Sequence, residues 1–133
     1  MVRVTKSGGW VVVADPDWGT SSIDTNEIEI ERRLARFRAE SMMHNGYAGR
    51  QLYRLVKQRR LIDISVKLVP IYTTDYRLTR QVERLDVVEQ EALDAGVVSN
   101  DELQHWRASL IQADRAGLFF SSTCIVIVAG RMP

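Results

Sequence analysis

Two stretches of the chain leave a folded structure few choices. Residues 10–14 read WVVVA, and residues 118–129 contain TCIVIVA. A strand-length run with no polar alternate predicts a strand buried on both faces. Two such strands need cover above and below, which predicts a sheet with helices on both sides. Between them Ile62, Ile64, Val66 and Leu68 alternate with Asp63, Ser65 and Lys67, the pattern of a half-exposed strand. Pro70 cannot donate to a ladder, so that strand belongs at a sheet edge. The last strand then falls between the other two, giving the order first–third–second.

Helices fill the intervals. Asp24 and Glu27 have capping-box spacing ahead of Ile30, Leu34 and Phe37, which predicts a first helix ending at Asn45-Gly46. Its acids (Glu27, Glu29, Glu31) precede its arginines (Arg32, Arg33, Arg36, Arg38), as the helix dipole favours, and Glu29 can pair with Arg33. These arginines read as a solvated face. A second helix is predicted over residues 49–60. A third carries Leu78, Val82 and Leu85 and stops at Gly96. Ser99 and Glu102 form another capping box for a fourth, which carries Trp106 and Leu110 and stops at Gly117. About four helices and three strands make one α/β domain over residues 1–133.

Gly8 and Gly9 raise the question of a nucleotide loop. Such a loop follows its strand and opens a helix, whereas these glycines precede the strand and read as a turn. Lys and Arg number 18 against 17 Asp and Glu, so no broad basic field exists for a nucleic-acid backbone. The KQRR cluster at residues 57–60 is explained by the dipole of its helix end. Cys124 is the one cysteine; it excludes an internal disulfide framework and, mid-run, reads as a small hydrophobe. His44 and His105 have no third ligand at metal spacing, so no metal site is expected. Apolar runs far shorter than the roughly 20 residues of a membrane span, with no signal-peptide core, predict a cytoplasmic protein.

Three segments together resemble a known family. KSGGWVVVADPDW (residues 6–18) looks like the fifth strand of class I S-adenosylmethionine-dependent methyltransferases, with Ser7 where proline is usual. NGYAGRQLYRLVKQRRLIDISV (residues 45–66) is similar to the helix and sixth strand of their small-molecule members. FFSSTCIVIVAGRMP resembles their closing seventh strand. The resemblance covers nearly the whole chain. It implies the C-terminal, acceptor-side half of a Rossmann-like domain: a three-layer structure on a mixed three-stranded sheet, its third strand antiparallel between the others. The donor, S-adenosylmethionine, is held in that family mainly by the first half, through a glycine-rich loop and an acidic residue. Neither is present, so this chain alone is expected not to bind the donor.

Ligands of doubly wound sheets bind beyond the carboxyl ends of the parallel strands. That edge gathers Asp15, Asp17 and Trp18 after the first strand, and Thr73, Thr74 and Asp75 after the second. Phe119, Phe120 and Ser121 open the last strand there, and the loop from His44 through Tyr47 to Arg50 can fold over it. In the family resembled, this rim faces a small-molecule methyl acceptor. Asp15, Asp17 and His44 would position it or take its proton. Each residue also has a structural reading: Asp15 and Asp17 as caps of a turn about Pro16, Trp18 as packing, Arg50 as a helix cap or a partner of Asp17.

Two functions follow. One is the acceptor-binding half of a methyltransferase, inactive without a donor half supplied by a partner chain. The other is a non-catalytic small-molecule-binding or assembly module, homodimeric through Val11, Val12 and Val13, whose outer edge would otherwise be open.

Overall fold

The computed structural model describes residues 2–133. Its strands are β1 (Trp10–Ile23), β2 (Ile62–Thr73) and β3 (Ser121–Arg131). Its α-helices are α1 (Ile28–Phe37), α2 (Ala48–Gln58), α3 (Tyr76–Val82), α4 (Leu85–Asp94) and α5 (Asn100–Arg115). The sheet order is β1-β3-β2, and both ladders are antiparallel, with Val13 opposite Val128 and Val66 opposite the same residue. The expected order and central last strand are therefore present. The sheet is not mixed, however: β1 and β2 run the same way but never touch, because β3 separates them, so no parallel ladder exists.

Two apolar clusters share no residue. One joins α2 to a sheet face, through Val56 and Leu61 against Val11, Val126 and Val128. Gly130 permits that approach, since a Cβ there would lie 2.9 Å from Leu61 Cβ. The other joins α1, α4 and α5 around Leu34, Val88, Leu103, Trp106 and Leu110, with Phe119 from the approach to β3. No helix among the described residues is long and apolar enough to cross a membrane.

Three expectations need correction. β1 is not buried on both faces: Trp10 and Val12 are each 57% exposed, because the face opposite α2 has no helix at that end. β2 is not half-buried but largely exposed on both sides, with Leu68 at 62%. As an edge strand it projects beyond the cover that α2 gives β1 and β3. The predicted third helix is two helices, since Arg84 adopts a left-handed conformation (φ 51°) that ends one and starts the next. Among the described residues there are thus five α-helices, not about four.

Helix ends follow local chemistry unevenly. The Ser99–Glu102 capping box is complete in both directions. Asp24 and Glu27 form none: β1 runs on to Ile23, and Glu27 takes the cap position without a side-chain bond. α1 ends at Phe37 in a π-turn (Arg38–Met42), before Asn45-Gly46. Arg33 pairs with Glu102 of α5, bonding only the backbone oxygen of Glu29.

Candidate ligand site at the bulge of the first strand

The site grows from an irregularity in β1. Asp17 stands opposite Cys124 and Ser22 opposite Ser122, so the intervening β1 residues exceed what β3 can pair. Such a bulge bends a strand and re-aims its side chains. Thr20 fastens it: its hydroxyl donates to the Asp17 carbonyl (2.6 Å) and accepts the Cys124 N–H (2.9 Å). Trp18 donates its backbone N–H to Gly46 of the following loop (2.9 Å).

On one side of the bulge lies an open apolar groove of about 270 Å³. Trp18, Ile71, Leu78, Val82, Thr123 and Ile125 are among its walls, so it opens at the carboxyl end of β2 under α3. The Thr123 hydroxyl is buried without a hydrogen-bond partner among the described residues. Buried hydroxyls are ordinarily paired, which makes Thr123 an exception in the wall of this groove. Arg38 supports Trp18 from behind, with its guanidinium carbon 4.4 Å from the ring centroid. It is 2% exposed, ion-paired with Glu83, and donates to the Ser21 hydroxyl (2.9 Å). The π-turn, the α3–α4 joint and the bulge are thereby locked to one another, which fixes the indole.

A second cluster holds Asp17, Tyr47 and Arg50. The Asp17 carboxylate is buried; it accepts the Gly19 N–H (3.1 Å) and Arg50 Nε (2.8 Å). The Arg50 guanidinium lies 4.8 Å from the Tyr47 ring centroid. Tyr47 in turn donates to Glu40 (3.0 Å). Burial and that hydrogen bond hold its phenol above the ordinary value, so it is a donor and not a base at neutral pH. The hydrogen bond to Asp17 likewise raises Arg50, which stays charged.

Of the residues expected at the rim, Asp17, Tyr47 and Arg50 come together, and Trp18 stands in the groove. Asp15 is on the strand before the bulge, partly buried, and does not line the groove. His44 is exposed in the turn before α2 and does not line it either. Phe119 is 2% exposed and belongs to the helical core, its ring 5.3 Å from Tyr76. The neighbouring Phe120 is the exposed one, stacked on Tyr72. Sequence reasoning missed Ser21, Arg38 and Glu83. Arg38 is buried and not on the solvated face expected of the first helix's arginines, because α1 gives way to the π-turn at that residue. No group of three or more His, Cys, Asp or Glu among the described residues could hold a metal ion.

The fold and site together define an α/β protein with a three-stranded antiparallel sheet and a ligand-sized groove beside a strand bulge. No family model matches the chain. Among known proteins it is similar to an uncharacterized 37.1 kDa protein in transposon TN4556 of Streptomyces fradiae, 31% identical over 132 residues. The match takes in 98% of this chain but 37% of the relative, so the chain spans little more than a third of that protein's length.

Proposed function

We propose that the chain is the acceptor-side half of an S-adenosylmethionine-dependent methyltransferase-like domain acting on a small molecule, inactive by itself. The observation that carries this reading is the strand arrangement. A reversed last strand lies between two strands that run alike, in the order β1-β3-β2 that the resemblance implies. An apolar groove with few polar groups, at the carboxyl end of β2, suits a small organic acceptor. The residues present do not fit the donor. Gly8 and Gly9 precede β1, and Gly19 lies under Tyr47 and Arg50 and opens no helix. No step of the donor's chemistry is therefore assigned to these residues. The relative's greater length leaves room for a donor half in proteins of its kind.

Calorimetric titration with S-adenosylhomocysteine tests this. The expected result is no binding by this chain and micromolar binding by the longer Streptomyces fradiae protein. Binding by this chain alone would overturn the need for a donor half. Absence of binding by the longer protein would overturn the methyltransferase reading.

A second reading rests on the outer edge of β1, which has no strand partner among the described residues and exposes Trp10 and Val12 beside it. Two copies pairing β1 to β1 about a two-fold axis would form a non-catalytic binding module with one continuous sheet. Sedimentation equilibrium at micromolar concentration decides it, a stable monomer being the outcome that rejects the dimer.

A further inference from the structure

Beside the bulge is a second opening, of about 270 Å³, that shares no residue with the apolar groove. Three of its six lining residues are arginines: Arg32 and Arg36 from α1 and Arg50 from α2, with Gly19, Ala35 and Tyr47 completing it. We propose that this cleft binds a small oxyanion, the phosphate or carboxylate group of a low-molecular-weight ligand. The proposal does not depend on the methyltransferase reading.

The arginines are held from below and open above. Arg50 gives only its Nε to Asp17, and Arg36 only its Nε to Glu40 (3.0 Å). Arg32 gives Nε and Nη2 to Glu31, and Nη2 also to the Ser21 carbonyl (2.6 Å). No acceptor among the described residues takes the terminal nitrogens of Arg36 and Arg50, or Nη1 of Arg32. Those forked donors are the ones that match the oxygens of carboxylate and phosphate.

The three paired carboxylates do not cancel the charge at the mouth. The Asp17 and Glu31 side chains are 6% and 7% exposed, whereas those of Arg50 and Arg32 are 51% and 46% exposed. Glu40 is open to solvent and remains beside Arg36, its oxygen shared with the Tyr47 hydroxyl. Positive charge therefore faces outward, with two of the three negative partners beneath it. Arg50 and Arg32 neutralise buried carboxylates, whereas the exposed Arg36–Glu40 pair stabilises little by itself.

Gly19 marks the cleft as built. A Cβ at this position would collide with Arg50 Nη2 and lie 2.6 Å from Tyr47 Cε1. The strand thus carries no side chain where the guanidinium and the phenol ring cross it. The volume admits an oxyanion with a few attached atoms.

The test is a titration followed by amide and arginine Nε–H chemical shifts at constant ionic strength, with inorganic phosphate and with malonate as separate probes. Saturable shifts at Gly19, Arg36 and Arg50 are expected with at least one of them. Saturation with phosphate alone assigns a phosphoryl group, and with malonate alone a carboxylate. Arg36→Gln should weaken binding about tenfold or more while leaving thermal unfolding unchanged, because Arg36 is 75% exposed and bonds only Glu40. Gly19→Ala, which displaces Arg50, should weaken it as well. Shifts no different from those with sodium chloride, or unaltered affinity in the folded Arg36→Gln variant, would overturn the site.

Discussion

The helices α1, α4 and α5 close completely around their core, whereas the sheet leaves much of its apolar surface in water. In the helical part Ala92 and Leu110 are fully buried and Trp106 is 1% exposed. Even its buried charge is complete: Glu89 accepts from Arg80, Arg107 (2.7 Å) and Trp106 Nε1 (3.0 Å). In the sheet part, α2 covers one face only, and Trp10, Val12, Leu68 and Tyr72 are all more than half exposed. The bulge, the groove and the arginine cleft all lie where these two parts meet. The helical part can hold the fold, which leaves the sheet end free to carry surface that is unfavourable in isolation. Exposed apolar faces and unpaired edges are what a docking partner or ligand would cover.

If that division holds, truncation should cost far more on one side than the other. Trp106→Ala removes the largest fully buried side chain and the hydrogen bond to Glu89. It should destabilise the chain by about 3–5 kcal/mol, measured by urea unfolding. Val12→Ala in the sheet should cost under about 0.5 kcal/mol, because Val12 is mostly in water. Comparable losses at the two sites would erase the distinction.

Glu89→Gln sharpens the same contrast through pH. Burial alone would raise the Glu89 pKa, but hydrogen bonds from Arg80 and Arg107 outweigh it and hold the carboxyl below its ordinary value of 4.5. A depressed folded-state pKa adds stability that is complete above the unfolded value and disappears as pH falls through the folded one. The substitution should therefore cost about 1–3 kcal/mol at pH 7, the lower end reflecting the partly exposed Arg107. That cost should shrink toward pH 3, because below about 4.5 the carboxyl of the unfolded chain takes up its proton and the advantage of the depressed folded carboxyl fades. A difference that stays constant between the two pH values would show that the glutamine disturbs packing instead.

Strand order and the α5 cap were legible because each follows from a few neighbouring residues. Apolar continuity made β3 central, Pro70 put β2 at an edge, and Ser99 with Glu102 capped α5. Burial of β1 was misread because continuity reports what a strand tolerates, not whether a helix arrives to cover it. The site was half legible. Asp17 follows from its place at a strand end, Tyr47 and Arg50 from a loop able to fold over it, and they do meet, with Arg50 pairing with Asp17 as one of its structural readings expects. Arg38 and Glu83 are far apart in the chain and pair only because the bulge and the α3–α4 joint bring them together. Phe119, expected at the rim with Phe120, is taken into the helical core, while Phe120 stays exposed just before β3 begins at Ser121.

The smallest expected effect on the fold is the most informative about the sheet. Val12→Lys should change stability by less than about 0.5 kcal/mol, since Val12 is 57% exposed and its side chain can stay in water. Its effect on association is another matter, because a lysine beside an open edge opposes strand pairing. If two copies join through β1, wild-type sedimentation will depend on concentration in the micromolar range, and the lysine variant will run as a monomer. If the wild type is already a monomer, its open edge and bare face are tolerated without self-pairing. The larger relative then becomes one place to look, because its extra length, like a partner chain, can supply the missing cover.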